Sequence, residues 1–151
     1  MTDRLRISEV TGDKRPYMSL LLVGDESEEM IGRYIDRGRL YIGQIEGEPV
    51  AVCVVTDESN TMVEIKNLAV SQNWRRMGIG RMMLRHVENL HRGKIGILGT
   101  GETPSTLRFY HSCGYTYFRR IPDFFTDNYP NPIIEEGIRL CDMIYLRKYY
   151  Y

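Results

Sequence analysis

Residues 64–85, EIKNLAVSQNWRRMGIGRMMLR, are compatible with few folds. An apolar-rich strand carrying Val63, Ile65, Leu68, Ala69 and Val70 runs through a short polar turn into Arg75, Arg76, Met77, Gly78, Ile79 and Gly80, and from there directly into an amphipathic helix. Glycines at 78 and 80 let backbone N–H groups approach a ligand with no Cβ in the way, and the helix N-terminus adds aligned dipoles and orphan donors. The segment reads as an anion cradle. Its expected guest is a phosphate or a pyrophosphate.

Spacing separates the glycine-rich phosphate motifs. A P-loop requires Lys and then Ser or Thr after its second glycine, and nothing here supplies that Lys. A dinucleotide-binding turn wants G-x-G-x-x-G after the first strand, with an acid about 20 residues on. Here Met83 stands at the third position and the motif lies mid-chain. What fits is Arg/Gln-x-x-Gly-x-Gly/Ala after a strand, met by Arg75, Gly78 and Gly80. This resembles the coenzyme A pyrophosphate loop of the Gcn5-related N-acetyltransferase (GNAT) superfamily. Downstream, TPSTLRFYHSCGY over residues 103–115 is similar to the second motif of that family, a helix carrying Tyr110 followed by Gly114 and Tyr115 at the next strand. Upstream, Glu64 precedes Ala69 and Val70 at the spacing where some members carry a catalytic Glu. The resemblance covers roughly residues 4 to 147, with its specific motifs between about 64 and 115.

A chain of 151 residues suits a single domain, 1–151, that buries about two-thirds of its unfolded surface. Twenty basic and twenty acidic residues leave no net field to argue for nucleic acid or an anionic membrane. Charge is distributed unevenly instead: residues 71–93 hold five Arg and one Glu, residues 121–138 hold four acids and no Lys or Arg, and residues 25–29 hold four acids. Cys53, Cys113 and Cys141 are odd in number and widely spaced, as expected of reduced thiols in a cytoplasmic protein. The first residues lack the apolar segment of a signal peptide, and no apolar run reaches the 18 residues of a membrane span.

Periodicity predicts strands at 4–10, 39–45, 49–56, 61–70, 94–100, 115–121 and 139–149, and helices at 14–23, 26–36, 79–91 and 103–113. The cradle helix presents Ile79, Met83, Val87 and Leu90 as its core stripe, with His86 and His91 at its surface or boundary. Residues 122–138, with three prolines and several aromatics, read as a structured loop. Pattern alone supports an α+β (mixed α/β) fold. The order β-α-α-β-β-β-α-β-α-β-β matches the GNAT layout, and the resemblance implies a central mixed sheet splayed between strands 4 and 5.

The resemblance also implies roles. Arg75, Arg76, Arg81 and backbone groups from Met77 through Gly78, Ile79 and Gly80 would hold the pyrophosphate of acetyl-CoA, with Arg81 or Arg85 reaching a further phosphate. Leu68, Ala69 and Val70 would pair their backbone with the pantetheine amides as an added strand would. Tyr110 is the candidate general acid at sulfur and Glu64 the candidate general base, either directly or through water. Glu64 could equally be a strand residue paired with Lys66. The family pattern has Asn and a small residue where Thr103 and Thr106 stand here, so these two are candidate coenzyme contacts. Acids and aromatics at Asp123, Phe124, Phe125, Asp127, Tyr129, Glu135 and Glu136, together with Asp25 to Glu29, suggest a cationic small-molecule amine acceptor. Phe124, Phe125, Tyr129 and the tail 149–151 could instead be homodimer contacts. His86, His91 and His111 show no metal-ligand spacing. The expected activity is N-acetyl transfer by direct attack in a ternary complex, against a non-catalytic acyl-CoA sensor as the alternative.

Overall fold

A computed structural model of the chain describes residues 4–151. β1 (Leu5–Glu9) leads through a 3-10 turn at Arg15–Tyr17 into α1 (Met18–Gly24) and α2 (Glu28–Gly32). β2 (Arg39–Ile45), β3 (Glu48–Asp57) and β4 (Met62–Val70) follow as an antiparallel meander, then α3 (Ile79–Leu90), β5 (Ile95–Gly101), α4 (Pro104–Ser112) and β6 (Thr116–Ile121). After α5 (Phe124–Asn128) come the short strands β7 (Ile134–Glu135) and β8 (Ile138–Arg139), and β9 (Met143–Tyr149) closes the chain. Seven strands form one mixed sheet in the order β1-β2-β3-β4-β5-β9-β6, in which β4 and β5 are the parallel pair.

Apolar residues cover both faces of that sheet. On one, Ile79, Met83, Leu84 and Val87 of α3 pack against Cys53, Val55, Val63 and Ile65; on the other, Leu21 and Ile31 pack against Leu40, Val52 and Val54. Glycines in β5 admit close neighbours from the chain's end: a Cβ at Gly96 would overlap the Tyr150 hydroxyl.

The splay implied by the resemblance is present and has a local cause. β3 and β4 pair Val54 with Asn67 but Val55 with Ile65, so Lys66 is an extra, bulged residue. Parallel pairing of β4 with β5 stops at Ile65–Leu98, next to that bulge. A bulge bends its strand, and here the bend carries residues 66–70 away from β5.

Several expectations are corrected. Residues 139–149 are not one strand. Ile138–Arg139 pairs with Ile134–Glu135 in a separate ribbon, turning at Glu136 and Gly137 with φ of 53° and 74°, the left-handed pair a tight hairpin needs. The second helix is regular only over Glu28–Gly32, and Pro16 sits in a 3-10 turn ahead of α1. In the tail, Tyr150 is buried and so is no dimer contact, its hydroxyl 2.7 Å from that of Tyr115.

Leu90 is 55% exposed, while His91, four residues after Val87, takes the next inward position. Arg39 Nη2 lies 2.8 Å from His91 Nε2, so that nitrogen accepts, and Nδ1–H donates to the Val87 carbonyl at 2.8 Å. Burial first, then Arg39 and Lys94, lower the His91 pKa from its ordinary 6.5, outweighing the Val87 bond. Because the folded value lies below the unfolded one, this contribution to stability is complete above pH 6.5 and is lost as pH falls through the folded value. Thermal unfolding followed against pH should therefore show a midpoint that drops on the acid side of 6.5, with a shallower slope in His91→Gln.

Candidate active site

β4 carries its turn into the cradle on an irregular backbone. After a 3-10 turn at Gln72–Trp74, Arg76 and Gly78 both adopt left-handed conformations, with φ of 63° and 78°. Gly78 caps α3, whose first helical bond runs from Met82 N–H to the Gly78 carbonyl, leaving the N–H groups of Ile79, Gly80 and Arg81 without helical acceptors. At Gly80 a Cβ would meet Phe109 of α4 at 3.2 Å, so glycine there lets the two helices approach. Left-handed residues at a helix start help turn successive N–H groups toward one concavity, which favours an anion.

That concavity opens into a groove of about 680 Å³ between the free margin of β4 and helices α3 and α4. The structure brings Leu68, Ala69, Val70, Arg75, Arg76, Gly78, Ile79, Gly80, Arg81 and Thr106 together along it. Among the described residues no strand pairs with β4 from Lys66 to Val70 on the β5 side, so backbone groups there are available to a ligand. Arg75 and Arg76 are exposed, and Arg75 Nε lies 3.3 Å from the Val70 carbonyl.

Three expected contacts are modified, while Met77, expected only through its backbone, has its side chain in solvent outside the groove lining. Thr103 is buried at the start of α4, whereas Ser105, unremarked in the sequence, lines the groove beside Thr106. Arg81 lines the groove but spends its guanidinium on the Ser112 carbonyl at 3.0 Å and hydroxyl at 2.8 Å, tying α3 to α4. Arg85, one turn further on, faces Glu88 and Lys148 in a different depression.

A second cavity, of about 250 Å³, meets the groove end to end. Val23, Leu68, Thr106 and Tyr110 line both. Tyr110 therefore stands at the junction. Its ring is held edge-on by Phe109 and Tyr115, at centroid distances of 5.1 and 6.1 Å, and its hydroxyl makes no hydrogen bond among the described residues. Burial raises its pKa, keeping the phenol protonated.

The second cavity is acidic. Asp25, Glu26 and Glu135 line it, and none has a cationic partner among the described residues; its one cation, Lys66, is already paired with Glu64 at 3.0 Å. Partial burial, then Glu26 and Glu136, raise the pKa of Glu135. Asp25 accepts from the hydroxyls of Tyr129 at 2.7 Å and Tyr34 at 3.2 Å. Asn67 in turn donates to Tyr34 and to the Leu21 carbonyl, fixing α1 to β4. Asp123, Asp127 and Glu136, expected on this side, do not line the cavity; Glu136 lies against Ser105 and Thr103, which lower its pKa.

Glu64 is buried in an adjoining cavity together with Tyr34, Phe124 and Tyr145. Oε2 receives the Tyr145 hydroxyl at 2.9 Å and Lys66 at 3.0 Å, leaving Oε1 without a partner among the described residues. The described residues contain no cluster of three or more His, Cys, Asp or Glu that could hold a metal ion, and no helix long and apolar enough to cross a membrane.

Known proteins share this architecture. The Acetyltransferase (GNAT) domain family matches residues 36–117, from before β2 into β6. The uncharacterized N-acetyltransferase YvbK of Bacillus subtilis is 31% identical over 149 residues, covering 95% of this chain and 94% of its own. A GNAT family acetyltransferase from Elizabethkingia anophelis, solved with acetyl-CoA bound, is 34% identical at a TM-score of 0.89, over 96% of this chain and 97% of that one. An IAA acetyltransferase from Bacillus cereus ATCC 14579 is 32% identical at a TM-score of 0.87, over 95% and 97%. By sequence, sheet order and the glycine turn between β4 and α3, the chain belongs to the GNAT superfamily of acetyltransferases.

Proposed function

We propose that the protein transfers the acetyl group of acetyl-CoA to an amine of a cationic small molecule, by direct attack within a ternary complex. One observation carries this reading: a groove lined by three arginines and an acidic cavity with no unpaired cation among the described residues meet end to end at Tyr110. An anionic nucleotide thioester laid along the groove would put its pyrophosphate on Arg75, Arg76 and the orphan N–H groups of α3, and its pantetheine along Leu68, Ala69 and Val70. Its acyl end would then lie at the junction. The acetyl-CoA bound to the Elizabethkingia relative supports the choice of donor.

In this reading an acceptor ammonium enters the acidic cavity, drawn by Asp25, Glu26 and Glu135. It must lose a proton before it can attack. Glu64, with Oε1 free, takes that proton through water, since its carboxylate lies in the cavity next door. The amine nitrogen bonds to the thioester carbon, the C–S bond breaks as Tyr110 gives its proton to the departing sulfur, and the second proton, shed by the nitrogen as it becomes an amide, returns to Tyr110. Two buried thiols, Cys53 and Cys113, and no disulfide are in keeping with a cytoplasmic setting.

Free-thiol release from acetyl-CoA, measured across primary amines that differ only in added positive charge, tests the proposal. Turnover should rise from neutral amines to diamines and basic amino-acid derivatives. Faster release with uncharged amines would overturn the cationic acceptor, and no release with any would overturn amine transfer.

A further inference from the structure

Beside the acidic cavity lies the one that holds Glu64, of similar size at about 250 Å³. The two share a wall. Asp25, Ile65, Lys66, Gly99, Tyr129 and Met143 line both. Two of these six, Asp25 and Tyr129, are joined by the 2.7 Å hydrogen bond from the Tyr129 hydroxyl to Asp25 Oδ1, between segments 104 residues apart in sequence. The bond therefore lies in the wall shared by the chamber that reaches Tyr110, here the inner one, and an outer one lined by Tyr34, Glu64, Phe124 and Tyr145.

We infer that Tyr129 is a specificity-determining residue, closing the inner chamber against Asp25 and thereby setting the length of amine the enzyme accepts. This rests on the amine-transfer reading above. An acceptor with its nucleophile at Tyr110 runs toward Asp25. A short one ends there, with a second cation facing Asp25, Glu26 and Glu135. A longer one meets the Tyr129 hydroxyl and must displace it from the carboxylate to continue between Phe124 and Tyr145.

The surroundings permit that displacement. Asp25 keeps two other donors, the Tyr34 hydroxyl at 3.2 Å and the Ser27 N–H at 3.3 Å, so opening does not strand its charge. Tyr129 follows directly after α5, which is five residues long, in a segment whose β7–β8 ribbon is separate from the main sheet. Backbone ties from Phe125 N–H to the Cys141 carbonyl and from Leu140 N–H to the Ile133 carbonyl, each 2.8 Å, anchor that segment on either side of Tyr129, whose own N–H bonds only within it, to the Phe125 carbonyl at 3.2 Å. The ring itself rests on Phe125, at a centroid distance of 5.7 Å.

The test compares the chain with Tyr129→Phe and Tyr129→Leu, the first removing the hydroxyl and the second the ring as well. Free-thiol release from acetyl-CoA is measured with straight-chain diamines from trimethylenediamine to octamethylenediamine, and calorimetry with acetyl-CoA confirms that each variant keeps its donor groove. Unsubstituted protein should show kcat/KM falling by about tenfold at the length that outgrows the inner chamber. At least one variant should lose that step, its kcat/KM with long and short diamines agreeing within about twofold. The same length profile in all three proteins overturns the gating role and leaves amine transfer standing. Absence of thiol release with every diamine, in all three, overturns amine transfer and the gate with it.

Discussion

Tyr110→Phe is expected to lower kcat by about a hundred- to a thousandfold, within the range of general acid catalysis, while leaving acetyl-CoA affinity within about twofold. The substitution removes one atom from a ring packed edge-on against Phe109 and Tyr115. Because the hydroxyl bonds to nothing among the described residues, its loss orphans no buried partner and the fold should be undisturbed. What disappears is the donor at the point where groove and cavity meet. A full kinetic series with calorimetry on the same preparation decides the matter. Loss of coenzyme affinity equal to the loss of kcat would reassign Tyr110 to binding.

The double substitution Arg75→Ala with Arg76→Ala should do the reverse. A hydrogen bond to a charged group contributes about 1.5–3 kcal/mol, so losing two at the pyrophosphate should weaken acetyl-CoA binding by a hundredfold or more. At saturating coenzyme, kcat should be nearly unchanged. Both side chains are exposed, so little packing is lost, and Arg76 already carries a Cβ at φ 63°, so alanine adds no new backbone strain. Raising salt should narrow the gap between the two proteins, because the missing interaction is ionic. Unchanged affinity with a collapsed kcat would contradict the cradle.

The cradle was readable in the sequence because its physics is local. A strand, two glycines two residues apart and a helix start are fixed by neighbours in the chain, and the resemblance at Arg75, Gly78, Gly80, Tyr110 and Gly114 adds order to them. Long-range pairings left no such trace. Lys66 and Asn67 look like ordinary polar strand residues, and only their register against Val54 and Val55 reveals which is extra. Glu135 and Glu136 look interchangeable in sequence, yet a tight turn sends one to the acidic cavity and the other to the start of α4. Leu90 and His91 exchanged their expected roles because Arg39, some fifty residues earlier, satisfies a buried imidazole. The bond between Asp25 and Tyr129 joins two regions legible separately as acid-rich and aromatic, but their meeting is a property of the fold.

The extra residue at position 66 also switches which way β4 shows its side chains. Val63 and Ile65 point toward α3 ahead of it; Leu68 and Val70 do so behind it, with Asn67 and Ala69 turned to α1. Shortening the chain by that one lysine would restore an even count. β4 and β5 would then be free to zip along their whole length, a more regular structure whose sheet has no open margin at its centre.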